Sequence, residues 1–504
     1  MSGTDSERII MNIAPGTRYR EFDLSLFNAD GGDLLVGAVG TAHKGPVNVR
    51  TPVSSPAEYV NIFGNPTTQL GYLAQIYLAE NGWLEVCRVV DGNAAKSIAT
   101  ALVSAAPVFT GEAVTYGTYG DDYSFKVFAS TEGVVNKINI AVYLSGTILK
   151  TYEDIASFTE LAALEGDLAF AEASGSPAWP TDWTGEYRTY TLSGGNSGLS
   201  SPDMSPFYRG TPAVLPSTPA TGLHVFDEVK DTELNFITCC GMFHPDVVTD
   251  GLSLAETQRK DCVFFPDAPD GLSADEADAW SLGTFSGGPS VALNTSYGFF
   301  VYPWHDYADP YSGTDVRVAP STMALAAIAN SWAVANPYID PAGLQRGRIK
   351  KSKGLAFNPS DREIAKTYSR AGHNVNWFVS IKGKGIYLWT QKTLQRKPSG
   401  RDRLSTRVSL NLAQSRLAAR GLYFAHEPIN ETTMKNVAKA AQEILGEITA
   451  DGGFRAFKVL CDKTINTDEV IARSEMYCKC MVKDQKYLEW LTFDWILVTQ
   501  DTPL

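Results

Sequence analysis

Residues 34–90, LLVGAVGTAHKGPVNVRTPVSSPAEYVNIFGNPTTQLGYLAQIYLAENGWLEVCRVV, set the architecture. Leu34–Val39 is short and wholly apolar, as a strand buried on both faces must be. Pro56 follows Ser54 and Ser55, which places a capped helix start there with Gly64 as its stop. Leu70–Glu80 puts Leu70, Leu73, Ala74, Tyr77 and Leu78 on one helical face. Asn81-Gly82 ends that helix, and Trp83–Val90 alternates as a strand. The resulting strand–helix–helix–strand block is of the α/β kind. The glycines of VGAVG fit close packing of a strand on a helix; the spacing is not that of a dinucleotide-binding loop.

From about Asp91 to Gly210 the composition turns to Thr, Ser, Gly, Tyr and Ala. Phe125–Ser130 and Asn136–Gly146 read as strands, Thr189–Gly198 as a strand running into a loop, and only Phe158–Phe170 as a helix. This predicts a mainly β insertion domain. The α/β pattern resumes from Leu223, with helices at Val225–Val229 and Leu254–Lys260 and strands at Asn235–Met242 and Asp261–Pro269. Tyr297–Tyr302 then reads as a strand and Ser321–Ala335 as an Ala-rich helix.

The last third is basic. Arg346–Arg420 holds 18 basic residues against three acids, a formal +15 in a chain of net charge −13, so the remainder carries about −28. Such asymmetry suits nucleic acid, an acidic protein surface, or pairing of the chain's own acidic and basic regions. Nucleic acid fits poorly, because Trp377, Phe378, Tyr387 and Trp389 fall in strand patterns that need a core. Val375–Ile381 and Gly385–Thr390 read as a hairpin, and Ser405–Arg420 as a helix. Thr432–Ala450 reads as an amphipathic helix with Met434, Val437, Ala438, Ala441, Ile444, Leu445 and Ile448 on its buried stripe. Four strands are expected over Phe454–Asp462, Glu469–Lys483 and Tyr487–Gln500, the second segment being long enough to bend into two. Ile9, Met11 and Ile13 alternate in an N-terminal arm that has no strand partner nearby in sequence.

No catalytic constellation emerges. There is no phosphate-binding Gly-Lys-Ser/Thr loop, no zinc-protease helix and no calcium loop. His305-Asp306 sits among turn residues, and Ser197 lacks a nucleophile-elbow context. The seven cysteines include no Cys-x-x-Cys pair, which fits reduced thiols. Met1–Ile10 lacks the basic start and apolar core of a signal peptide, and no run of 18 apolar residues exists. No catalytic residue, cofactor or metal is therefore expected, which points to an interaction or structural protein rather than an α/β hydrolase.

The order of several segments resembles the contractile-tail sheath proteins of myovirus-type bacteriophages. The carriers are the opening strand–helix block, YLAQIYLAENGWLEVCRVV, ETQRKDCVFFPDAPDG, TSYGFFVYPWHDYADPYSG, VAPSTMALAAIANSWAVANPYIDPAG, GIYLWTQKTL, RLSTRVSLNLAQSRLAARGLYFAHEPIN and Thr432–Gln500. The resemblance implies a multi-domain fold, α/β plus α+β. Residues 1–23 would be an arm donated to a neighbour, 24–91 with 206–345 an α/β middle domain, and 92–205 a mainly β insertion on the outside. Residues 346–485 would form a basic, tube-facing α+β domain completed by neighbours' strands, and 486–504 a second arm.

It further implies a structural subunit that polymerises as stacked hexameric rings around a tail tube, in an extended metastable state, and contracts to drive the tube through a bacterial envelope. The expected partners are further copies of the chain, the tail tube protein, and baseplate and tail terminator proteins, with no direct nucleic acid and no membrane insertion. The expected location is the virion, after assembly in the host cytoplasm. A phage-tail-like bacteriocin or injection system would use the same kind of subunit. Ile9, Ile10, Met11, Ile13, Leu491, Phe493, Trp495 and Leu497 are the expected inter-subunit arm residues. Arg416, Arg420, Lys435, Lys439, Gln442 and Glu443 are the candidate tube contacts.

Overall fold

The structure is a computed structural model. It describes residues 34–493 apart from 81, 175–177, 215–216, 230–232, 370–371 and 490. The expected N-terminal arm lies outside the described residues. The opening block folds as its pattern predicts: β1 (Leu35–Gly40), β2 (Arg50–Val53), α1 (Pro56–Phe63), α2 (Gln69–Tyr77) and β3 (Trp83–Arg88). Ser55 accepts the Glu58 amide at the start of α1, and Gly64 closes it. A Cβ on Gly40 would lie 2.7 Å from Cβ of Leu70, so only glycine lets β1 approach α2 this closely.

After β3 the chain leaves for an insertion: β4 (Ile98–Val103), β5 (Ala106–Ala113), β6 (Tyr123–Ala129), β7 (Ile138–Leu144), β8 (Thr147–Ile155), α3 (Phe158–Ala162), β9 (Leu168–Glu172) and β10 (Thr189–Thr191). One sheet runs β10-β6-β7-β8 and the other β4-β5-β9. They enclose a core of their own, with Phe109, Phe125 and Phe170 in mutual ring contact and Trp183 against Phe109. The helix expected over Phe158–Phe170 stops at Ala162. Its second half is β9, whose pairing with β5 overrides a helical spacing.

The neck of the insertion is tightly tied. Ala95 and Asn196 exchange backbone hydrogen bonds, as do Ile98 and Ser193. The Asp91 carboxylate accepts the amides of Asn93, Ser200 and Ser201. Fully buried Arg88 donates to the carbonyls of Gly45, Tyr116 and Ser197, so one guanidinium joins the core to the loop after β5 and to the returning chain. Burial pulls its pKa down to about 10, which leaves it charged at neutral pH. Excising residues 92–199 and joining Asp91 to Ser200 by a short linker should therefore leave a folded, monodisperse core, checked by circular dichroism and gel filtration. Aggregated product would show that the core depends on the insertion.

The chain returns through α4 (Ser205–Arg209) to β11 (Phe236–Thr238), α5 (Pro245–Ser253) and β12 (Val263–Phe265). The central sheet runs β12-β11-β1-β3-β2, parallel except for β2 at the edge. The helix expected at Val225–Val229 is a 3₁₀ turn over Gly222–Phe226. That expected at Leu254–Lys260 is a π-helical extension of α5, which the periodicity did not reveal. Next come α6 (Ala274–Ser281), β13 (Val301–Tyr302), β14 (His305–Ala308), β15 (Asp315–Val318), α7 (Pro320–Val334), β16 (Arg348–Ile349), β17 (Gly354–Leu355), α8 (Asp361–Ile364), β18 (Asn376–Ile381) and β19 (Gly385–Leu388). Helices α2 and α7 cover one face of the central sheet, and α5 and α6 share the core of the other.

The core continues across the division expected at 345/346. β18 pairs with β13, and Ile349, Phe378, Leu388, Leu404 and Val408 pack in the same cluster as β1. A smaller cluster of Tyr338, Ala413, Leu445, Ile448 and Phe454 lies under α9 (Leu404–Gly421), α10 (Glu431–Ala450) and β20 (Phe454–Leu460). α9 joins the two clusters, with Leu404 and Val408 in the first and Ala413 in the second. The strand expected over Glu469–Lys483 divides into α11 (Asp468–Ala472), a turn and β21 (Lys479–Asp484). Residues 487–489 and 491–493 of the expected last strand have no strand partner, and 494–500 lie outside the described residues.

Candidate assembly interface

The charge asymmetry resolves largely inside the chain. Lys350 pairs with Glu80, Lys353 with Asp315 and Lys366 with Asp275. Arg396 donates to the carbonyls of Leu293, Gly372 and Ser281. Lys392 and Arg407 lie over the rings of Tyr368 and Tyr297, and burial lowers the pKa of both cations. Much of the basic segment thus holds the acidic segment, with Lys382, Lys384, Lys397 and Arg401 among the bases left exposed.

The candidate nucleophile and base groups are occupied structurally. His305 is buried edge-on to Phe378 and bonds Ser352 Oγ, and burial lowers its pKa to about 3. Its neighbour Asp306 pairs instead with Arg317 at 2.7 Å. Ser197 Oγ donates to the His43 carbonyl.

The C-terminal end combines an open sheet edge with exposed apolar residues. Asn430 caps α10 by accepting the Thr433 amide. Met434, Ala441, Leu445 and Ile448 of the expected stripe are buried, together with Ala440. β20 and β21 form an antiparallel pair, Phe457 opposite Val482 and Val459 opposite Cys480. Among the described residues no third strand joins this pair, so both outer edges offer unpaired backbone groups. The chain then runs out through Leu488, Leu491 and Phe493, which are 77%, 64% and 73% exposed. Two polar ties hold this segment: Arg403 Nε to Glu489 at 2.6 Å, and Tyr487 Oη to the Tyr338 carbonyl at 3.1 Å. A cavity of about 300 Å³ lies between it and Gln391 and Arg403.

Of the expected arm residues, Leu491 and Phe493 are therefore solvent-facing and outside any strand. Ile9, Ile10, Met11, Ile13, Trp495 and Leu497 lie outside the described residues. The candidate tube contacts Lys435, Lys439, Gln442 and Glu443 are all exposed on α10. Lys439 pairs with Glu443 and Arg416 with Glu447, each at 3.9 Å, and Arg420 sits over Tyr423. The stripe is thus mixed in charge. Sequence reading overlooked the exposed Leu422-Tyr423 tip between α9 and α10 (76% and 78%), whose signal was two large apolar residues directly after a basic helix end.

The tail sheath protein of Salmonella phage ViI is 26% identical over 282 residues, which is 54% of this chain and 42% of that protein. The tail sheath protein of Vibrio phage KVP40 is 27% identical over 260 residues, 48% of this chain and 38% of that one. The chain is thus similar in sequence to the tail sheath proteins of myoviruses. These relatives are structural proteins, not enzymes. The chain spans about two-fifths of the length of both. No protein-family model matches. The mixed α/β fold with several sheets matches solved sheath proteins. One from Listeria innocua aligns with TM-score 0.57 at 12% identity, over 91% of this chain and 96% of that one. The contracted sheath of an extracellular contractile injection system, PVC, aligns with TM-score 0.55 at 13% identity, over 97% and 98%.

Proposed function

We propose that this chain is the structural subunit of a contractile tail sheath. It polymerises as stacked hexameric rings around a tail tube, is held extended in a metastable state, and contracts to drive the tube through a bacterial envelope. The observation that carries this reading is the bare-edged β20–β21 pair beside an apolar exit segment. Edges of this kind are completed by strand addition, in which backbone hydrogen bonds supply affinity and alternate side chains supply fit. Each bond nets roughly 0.5–1.5 kcal/mol, so an arm of six to eight residues holds several kcal/mol per junction while the bodies of the subunits turn. Residues 1–23 and 486–504 are the donated arms in this reading, and Leu491 and Phe493 mark where the second leaves the body.

The division of labour follows. Residues 24–91 and 206–345 form the middle body, extended by the segment 348–408 that shares its core, and 92–205 faces outwards. The unit from the second half of α9 to β21 faces the tube. Tail tube, baseplate and terminator proteins are the remaining partners, in a virion assembled in the host cytoplasm. A second reading, the sheath of a phage-like injection system, is favoured by the near-complete alignment with the PVC sheath; the neighbouring genes separate the two. Electron microscopy of the purified chain tests the class, since tubes with a helical lattice are expected and persistently monomeric particles would overturn it.

The tube grip is assigned to the mixed stripe of α10. Exposed ion pairs are worth about 0–1 kcal/mol each and weaken with salt, so many in parallel can hold and then release together. Charge reversal at Lys435 and Lys439 should reduce co-assembly with tube protein while sheath-only polymers form at the usual yield. Undiminished co-sedimentation with the tube would move the contact to another surface, first to exposed Lys397 and Arg401 in the loop before α9.

A further inference from the structure

Three cysteines, Cys461, Cys478 and Cys480, lie at the far end of the β20–β21 pair. Val459 lies opposite Cys480 and Leu460 opposite Lys479, where the ladder ends; continued by one residue, that register would bring Cys461 opposite Cys478. Cys478 and Cys480, two apart along one strand, project to the same face of the pair. Cys461 is buried, Cys478 half-buried and Cys480 exposed. Directly opposed residues of an antiparallel pair have Cα atoms about 4.5–5.5 Å apart, inside the range of about 4.4–6.8 Å that a disulfide spans. The intervening loop is already closed. Buried Asn466 accepts the Tyr477 amide at 2.6 Å and donates to the Tyr477 and Asp462 carbonyls at 3.0 and 3.1 Å. Among the described residues, no three His, Cys, Asp or Glu side chains are arranged to hold a metal ion.

We propose that Cys461 and Cys478 are a redox modification site, oxidised to an intrachain disulfide by a low-molecular-weight disulfide such as oxidised glutathione, with Cys480 as the receiving thiol. The Cys480 thiolate attacks one glutathione sulfur, breaks the S–S bond and expels glutathione thiolate, which takes up a proton. Cys478, deprotonated, attacks the glutathionyl sulfur and restores Cys480 as a thiol. Cys461 then attacks Cys478, forms the protein disulfide and expels the second glutathione. The net change is two protein thiols oxidised and one glutathione disulfide reduced to two thiols. Desolvation raises all three thiols, Cys478 to about 12. Only a small thiolate fraction therefore reacts at neutral pH, and the rate climbs about tenfold per pH unit. The link would fasten β20 to β21 at the end where the loop enters. It stands whether or not the chain is a sheath subunit.

The test uses the purified full chain, incubated natively with oxidised glutathione at pH 7.5 and 8.5, acid-quenched and denatured. Free thiols should fall from seven to five, with the linked peptides containing Cys461 and Cys478 and the loss about tenfold faster at the higher pH. Cys480→Ser should slow the loss at least about threefold without changing the product, and Cys478→Ser should abolish the link. Seven remaining thiols, a link between other cysteines or between chains, or a stable glutathione adduct without the internal link would each overturn the proposal.

Discussion

Replacing Arg259 with alanine should cost about 3–5 kcal/mol of stability, the usual consequence of stranding one member of a buried ion pair. The result is expected as a lower urea midpoint, or as loss of soluble chain. Arg259 is fully buried at the end of the π-helical turns after α5. Its Nε and Nη2 meet the two carboxylate oxygens of Asp261 at 3.0 and 2.8 Å, and Nη1 donates to the Phe226 carbonyl at 2.7 Å. Asp261 also accepts the Leu234 amide at 3.1 Å, just before β11. One ion pair thus fixes the starts of β11 and β12 and the turn at Gly222–Phe226. Alanine would leave a desolvated carboxylate and at least one orphaned carbonyl. Arg259→Lys should recover only part of the loss, because an ammonium cannot reproduce the two-point fork. The control is Arg209→Ala, which breaks half-exposed pairs with Asp246 and Asp250 and should cost no more than about 1 kcal/mol. Equal losses from the two variants would remove the special role of Arg259.

Deleting Met1–Asp23, or separately residues 494–504, should abolish tubes while leaving a folded chain of unchanged melting behaviour. Every residue of the cores lies between Leu34 and Cys461, so neither deletion removes buried apolar area from the described body. Each deletion would remove a strand that an open edge of a neighbour is proposed to accept. Monodisperse subunits in the micrograph with native circular dichroism are the expected outcome. Tubes of normal yield from both deletions would place the lattice contacts in the body of the subunit.

Much of the fold was legible where one local rule decided the matter. Ser55-Pro56 and Gly64 marked both ends of α1, and the alternation at Trp83–Val90 marked β3. The insertion was legible as a change in composition between two stretches of the same α/β pattern. Elements were misread where two rules competed. Phe158–Phe170 carries helical spacing, yet Leu168–Glu172 finds a better partner in β5. Thr467 followed by Asp468 and Glu469 is a helix-start pattern, yet the alternation of the following run reads as a strand long enough to bend into two. The site was less legible. Counting bases located the basic segment but could not reveal that Lys350, Lys353 and Lys366 reach acids far away in sequence. That pairing is tertiary, and it turns an apparent binding face into internal glue.

The neck at Asp91 gives the insertion a particular freedom. Because Asp91, Ser200 and Ser201 clasp the two crossing strands, the loop-closure entropy of whatever lies beyond is met locally and changes only logarithmically with its length. The core is then nearly indifferent to the size of its passenger. Such a position can exchange one passenger for another, or carry a foreign cargo whose ends lie side by side, without renegotiating the sheet from which it hangs. Changes of sequence and length within this passenger should accordingly cost the core little.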